Sequence, residues 1–522
     1  MMKLPIVRSL LVVSLLFVAP LATAQVRPAP IRFTDRATQC GILSYDAANG
    51  MGSGVLAADY DDDGDIDLFV PNGEGVPDQL YRNRGDGTFE EIAARAGLDS
   101  LQRHRASLFF DYDGDGDLDL IVGNDDQAID PVAASSFHLF RQDGPESFTD
   151  VTREAGLFVH ARMTGLRPHR GGFCAGDLDR DGDLDLCATM WNGQSQLFRN
   201  EGDGTFTDIS TSSGVFTEFP VTHWQPLMGD FDGDGWQDIF MAVDFFDNQL
   251  WINQKDGTFV DKAKEAGVNY VMNGMGAAVS DVNNDGKLDI GVTNIFQHTF
   301  FDKRNLLQIN LSTPGQPKFA EISVEAGVAD GGWGWGMTFF DADRDGRVDW
   351  ASTNGFESEP WDRDPTCFFF GNQPRLQVQE SARAVGLADN DWGSGLIAFD
   401  FDRDGDLDVA QTCMNGTLRL MENQPSVFPS KGVRTPHYLV VKPRAASGNR
   451  FGIGAKVLIQ VGADIQCRVI TAGTSFLSQE PAEAFFGLGD ATLVDRVHVT
   501  FADGTTRDSF QVPVDQVLTI LK

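Results

Sequence analysis

Short apolar runs alternate along the chain with short runs of acid and glycine. Val55-Leu56-Ala57-Ala58 leads into Asp59-Tyr60-Asp61-Asp62-Asp63-Gly64-Asp65-Ile66-Asp67, and that into Leu68-Phe69-Val70. Apolar runs of this length bounded by turn residues predict buried strands, so the acidic stretch predicts the connection of a β-hairpin. The same nine-residue stretch begins again at Asp111, Asp177, Asp230, Asp281, Asp341 and Asp400. Asp holds positions 1, 5 and 9 in all seven copies, and Gly holds position 6. Position 3 is Asp in six and Asn283 in the fifth.

Successive copies start 52, 66, 53, 51, 60 and 59 residues apart. Between them recurs a second signature. Leu80-Tyr81-Arg82-Asn83 runs through Asp86-Gly87-Thr88-Phe89 to Ala96-Gly97-Leu98, and Leu250-Trp251-Ile252-Asn253 through Asp256-Gly257-Thr258-Phe259 to Ala266-Gly267-Val268. The central Asp-Gly is a hairpin turn, so each unit supplies four strands. Four-stranded units at a period near 50 predict an all-β fold, a seven-bladed β-propeller. The seventh unit lacks an outer strand, whereas Phe33-Thr34-Asp35 carries that signature ahead of the first unit. The N-terminal strand is therefore expected to close blade seven and remove the open edge. The division is residues 1–24, 25–424 for the propeller, 425–436 as a linker rich in Pro, and 437–522 as a small β-sandwich-like domain.

Alternating side-chain oxygens with a Gly turn between them are what a Ca²⁺ ion of six to eight ligands requires. The candidate ligands are Asp59, Asp61, Asp63 and Asp67; Asp111, Asp113, Asp115 and Asp119; Asp177, Asp179, Asp181 and Asp185; Asp230, Asp232, Asp234 and Asp238; Asp281, Asn283, Asp285 and Asp289; Asp341, Asp343, Asp345 and Asp349; and Asp400, Asp402, Asp404 and Asp408. Up to seven Ca²⁺ follow. The net charge of −35 is largely a property of these loops, and it argues against a nucleic-acid partner.

Met1 to Ala24 reads as a signal peptide, with Lys3 and Arg8 ahead of an apolar stretch and Ala22-Thr23-Ala24 at its end. No later run is long and apolar enough for a membrane span. The expected location is outside the cytoplasm: periplasmic, cell-surface or extracellular. Export permits disulfides, and of the six cysteines Cys174 and Cys187 flank loop three symmetrically. They are expected to face each other across its hairpin, either bridged or as two buried thiols.

The seven loops resemble FG-GAP/VCBS repeats, the calcium-binding blades of secreted and adhesive proteins. Asn449-Arg450-Phe451-Gly452-Ile453-Gly454, Ser475-Phe476-Leu477-Ser478-Gln479 and Phe486-Gly487-Leu488-Gly489-Asp490 resemble the ASPIC/UnbV domain. The combination is similar to the cartilage acidic protein family and covers essentially the whole mature chain. The resemblance implies that the backbone carbonyl of position 7 is a further ligand, at Asp65, Asp117, Asp183, Trp236, Lys287, Arg347 and Asp406. Site five, with Asn283 and Lys287, is expected to be the weakest. The resemblance implies extracellular calcium binding and adhesion or interaction, with no defined reaction.

If the loops lie on one face, the inner strands begin on the other. Just before those strands come Arg103-His104-Arg105, His169-Arg170, His223-Trp224, Trp333, Trp335 and Trp392. A basic, aromatic mouth on an acidic protein is a candidate site for a protein or carbohydrate ligand. The bland alternative is that these side chains only fill the channel. The sequence thus predicts a non-catalytic binding or adhesion module, with an enzyme acting on a polysaccharide at that mouth as the rival. Arg84-Gly85-Asp86 spells an adhesion tripeptide, but Glu201-Gly202-Asp203 occupies the same place in another unit and marks it as a hairpin variant.

Overall fold

A computed structural model describes residues 31–42, 51–73, 75–125, 137–158, 169–216, 221–296, 304–372, 376–425 and 436–522. The expected signal peptide, residues 1–24, and nearly all of the expected linker, residues 425–436, lie outside these residues. The protein is all-β and propeller-like, a repeat of antiparallel sheets. Each sheet starts with an inner strand that leads into an acidic loop: Leu56–Ala58, His104–Phe110, His169–Gly176, His223–Gly229, Ala277–Ser280, Gly334–Phe340 and Gly393–Phe399. The second strand follows the loop, as Asp67–Val70 does after loop one. The alternation read from the sequence holds here because both faces of these strands are covered, so they are continuous apolar runs.

The expected N-terminal strand, Ile31–Asp35, pairs antiparallel with Arg419–Pro425 of the last sheet, with Phe33 opposite Asn423. Two details differ from the sequence reading. The Ala-Gly-Leu signature after the outer strand forms a one-turn helix, such as Ala93–Ala96, closed by Gly97 in the left-handed region at φ 78°. Four residues are too few for helical periodicity to show. The sixth sheet has three strands, and its outer position holds only a single bridge from Phe369 to Glu380.

The Asn at the end of the third strand joins neighbouring sheets. Its backbone N–H donates to the position-9 carboxylate of its own loop, at 2.8 Å for Asn83 and Asp67. Its side-chain Nδ2 donates to the position-2 carbonyl of the preceding loop: Asn200 to Tyr112 at 2.7 Å, Asn253 to Leu178 at 2.8 Å, Asn310 to Phe231 at 3.0 Å and Asn423 to Ala342 at 2.8 Å. Asn83 reaches Phe401 of the seventh loop at 2.8 Å. A buried carbonyl left without a partner is costly, which accounts for the recurrence of this residue.

The C-terminal part has a three-stranded sheet centred on His437–Arg444 and a four-stranded sheet of Asp464–Val469, Lys456–Val461, Leu493–Thr500 and Thr506–Pro513. It is not a detached body. It sits on the loop face, and Leu439, Phe451, Phe476 and Phe486 share one apolar core with Phe109, Leu186 and Trp224. From it, residues 472–480 run into the channel and meet every inner strand. Ala175 N–H donates to Ala472 O at 3.2 Å, and Ala277 and Ser475 exchange backbone bonds of 2.8 and 2.7 Å. Met337 N–H donates to Ser475 Oγ, Leu477 N–H to Gln225 Oε1, and Val55 N–H to Ser478 Oγ. Gln479 clasps the backbone of Phe109 through both ends of its amide, at 2.7 and 2.9 Å. Ala398 N–H donates to Glu480 at 3.2 Å. The Gly-rich inner strands follow from this plug: a Cβ on Gly54 would lie 1.7 Å from Leu477 O.

Candidate functional site: the acidic loops

Each loop is wound by two left-handed residues. Position 4 has φ between 56° and 75° in all seven, and the Gly at position 6 has φ between 82° and 101°. Glycine meets the second requirement without strain. This winding turns the carboxylates inward. One oxygen each from Asp59, Asp61 and Asp63 lies within 4.8 Å of the others, as do those of Asp111, Asp113 and Asp115, of Asp177, Asp179 and Asp181, and of Asp230, Asp232 and Asp234. In loop six the group is Asp341, Asp343 and Asp349.

Position 9 anchors the loop at both oxygens. Oδ2 of Asp67, Asp119, Asp185, Asp238, Asp289, Asp349 and Asp408 accepts the position-2 N–H at 2.9–3.2 Å. Oδ1 of six of them accepts an N–H from the third strand, as Asp238 does from Asn253 at 2.9 Å, and Asp349 accepts one from Gly371 just beyond that strand. The position-5 carboxylate accepts the position-7 N–H in every loop, at 2.9–3.1 Å. Side chains at position 7 differ from loop to loop: Trp236 lies under the Arg180 guanidinium, Arg347 pairs with the position-5 Asp345, and Asp406 faces Arg344.

Gathering carboxylates under a protein layer raises their proton affinity. Burial and the neighbouring acids push Asp61 up to about 6, Asp111 to about 7, Asp341 to about 8 and Asp119 to about 9. Buried oxygens without a hydrogen-bond donor remain on Asp61, Asp177, Asp230, Asp232, Asp343 and Asp400. Uncompensated oxygens converging on one point are what a hard divalent cation satisfies, so the residues fit Ca²⁺. In loop five Asn283 Nδ2 donates to Asp285 at 3.2 Å, and the loop has one carboxylate fewer at these positions than the others.

On the far face the predicted residues form two groups. Arg105 Nε donates to Asp125 at 2.8 Å, His169 Nδ1 lies 3.2 Å from the same carboxylate, and the Arg170 backbone N–H donates to it at 2.6 Å. Burial pushes the Arg170 guanidinium down to about 9. Trp224 and Trp335 are buried, with Phe476 of the plug 5.4 and 5.1 Å away, and half-buried Trp333 stacks on Phe356 at 4.2 Å. The others stand apart. His104 pairs with Asp78, and Trp392 donates to Asp362 O at 3.2 Å. His223 bonds Ser195 and Gln249, and burial pushes it down to about 4, so it is neutral. Arg103 is half-buried at the rim. The three histidines thus share no point. Cys174 and Cys187 are direct cross-strand partners, as expected, and both are buried thiols.

What the sequence reading missed is the plug and position 4. Ser475-Phe476-Leu477-Ser478-Gln479 is visible as a motif, but its partners, mostly backbone groups, lie on five distant sheets. Position 4 is Asp62, Gly114, Arg180, Gly233, Asn284, Arg344 and Arg403, with no shared residue type.

The FG-GAP-like repeat family matches residues 59–122, 111–188, 177–241 and 230–292, and the ASPIC and UnbV family matches 445–522. Cartilage acidic protein 1 of Mus musculus is 26 % identical over 550 residues, covering 98 % of this chain and 80 % of that protein. The Homo sapiens protein is 26 % identical over 544 residues, covering 97 % and 78 %. Among solved structures, BBS1N in complex with ARL6DN matches at TM-score 0.44 and 10 % identity, over 76 % of this chain and 98 % of that one. No described helix is long and apolar enough to cross a membrane. The chain carries FG-GAP-like repeats and a C-terminal ASPIC and UnbV domain, and it is similar to cartilage acidic protein 1 along nearly its whole length.

Proposed function

We propose that the protein is an exported interaction module, a closed seven-bladed propeller loaded with calcium, whose ligand is a protein or carbohydrate met on the far face. The observation that carries this is the repeated inward set of carboxylates with unsatisfied buried oxygens. Ring closure is supported by the pairing of Ile31–Asp35 with Arg419–Pro425 and by the bond from Asn83 to Phe401. The likeness to proteins named cartilage acidic protein 1 supports a role outside the cytoplasm. A non-catalytic role is favoured because the plug fills the channel in which a propeller enzyme would hold substrate. Around Trp333 and Phe356 the far face keeps half-buried aromatic surface for a ligand.

Thermal unfolding of the mature protein with millimolar calcium and with excess chelator tests the calcium reading. A site held at a hundredfold over its dissociation constant adds about 2.7 kcal/mol, so several such sites give a large rise in Tm. An unchanged Tm would end the reading.

A further inference from the structure

In every loop the Gly carbonyl at position 6 accepts a hydrogen bond, and in four the donor is position 4 of the preceding loop. Arg403 of loop seven donates to Gly64 O at 3.1 Å, Arg180 of loop three to Gly235 O, Asn284 of loop five to Gly346 O at 3.3 Å, and Arg344 of loop six to Gly405 O at 2.9 Å. Loops one, two and four carry Asp62, Gly114 and Gly233 at position 4, none of which has a side-chain donor to offer. At those three junctions the C-terminal domain supplies it. Arg450 donates to Gly116 O at 2.5 Å and pairs with Asp62 at 2.7 Å, bridging loops one and two. Asn449 donates its backbone N–H to Gly182 O at 2.8 Å, and Lys456 donates to Gly286 O.

We infer that the loop face is tied by one circuit of seven hydrogen bonds to the position-6 carbonyls, four given by a neighbouring loop and three by the C-terminal domain, and that Asn449, Arg450 and Lys456 are positioning residues for metal loops three, two and five. This rests on the calcium reading of the loops. The peptide between positions 6 and 7 is gripped at both ends: its carbonyl by the circuit, its N–H by the position-5 carboxylate. Fixing that peptide aims the position-5 carboxylate and the following backbone carbonyl at the ion. Outer partners of this kind change metal affinity by about 10–100-fold. The C-terminal domain thus completes the loops whose own neighbours cannot.

The test uses the mature protein, with calcium calorimetry and terbium luminescence. Lys456→Ala is expected to weaken one site by about tenfold and leave the rest unchanged. Adding Gly233→Arg to that variant is expected to restore the site. Arg at position 4 already occurs with φ of 58–64° in three loops, and a Cβ on Gly233 meets only Pro314 N, at 4.0 Å. Arg180→Ala, which changes no residue of the C-terminal domain, is expected to lower the terbium signal sensitised by Trp236 of loop four. Unchanged affinities in Lys456→Ala and in Arg180→Ala would overturn the inference, as would failure of Gly233→Arg to restore a weakened site. A parent protein that takes up no calcium would instead overturn the calcium reading, and the inference with it.

Discussion

Asn253 does at one residue what each sheet needs where it meets its neighbour. Its Nδ2 serves Leu178 O and Gln237 O, at 2.8 and 3.1 Å, and its Oδ1 accepts Lys255 N–H at 2.8 Å. Asn253→Ala leaves the carbonyls of buried Leu178 and Gln237 without this donor, each costing about 1–3 kcal/mol. The expected result is a loss of about 3 kcal/mol or more, read from denaturant unfolding in saturating calcium. The recurrence of this Asn was legible in the sequence, its bonds were not, because the partner carbonyl belongs to another sheet. The tripeptide Arg84-Gly85-Asp86 was read correctly as a turn: Asp86 accepts Thr88 N–H at 3.0 Å, as Asp203 accepts Thr205 and Asp256 accepts Thr258.

At the scale of elements, the loops could be read from the chain because one residue type recurs at one position seven times. The plug could not. Its residues look like a polar turn, and what they fill is created only when seven strands come together. Phe476 reports on it, since its ring packs between Trp224 and Trp335. Phe476→Ala is expected to cost about 3–5 kcal/mol and to shift tryptophan emission to longer wavelength as water reaches those two indoles. An unshifted spectrum would mean that the plug does not occupy the channel in solution. The C-terminal strand Thr506–Pro513 was likewise illegible, because six of its eight residues are exposed and carry no apolar alternation.

For the whole molecule, the acidity is concentrated in the seven loops, and this sets a pH dependence. In the metal-free fold the loop carboxylates bind protons up to about 6, 7, 8 and 9, at Asp61, Asp111, Asp341 and Asp119. The unfolded chain releases its protons near 3.8. Between those values the native state holds more protons than the unfolded state, so metal-free stability falls as pH rises. Tm in chelator is expected to drop steadily from about pH 5 to about pH 9, while saturating calcium, which displaces those protons, removes most of the slope. A Tm in chelator that rose with pH would contradict the buried carboxylate clusters.

The route of residues 472–480 past all seven inner strands has a consequence for how the molecule is made. The strand Ile31–Asp35 is synthesised early, yet the segment that gives every sheet its final neighbour is synthesised after all seven sheets. A chain interrupted before residue 480 therefore leaves a hollow axle with unpaired strand groups at its wall, the kind of surface that proteases and chaperones recognise. Only a chain read through residue 480 carries the segment that covers those groups.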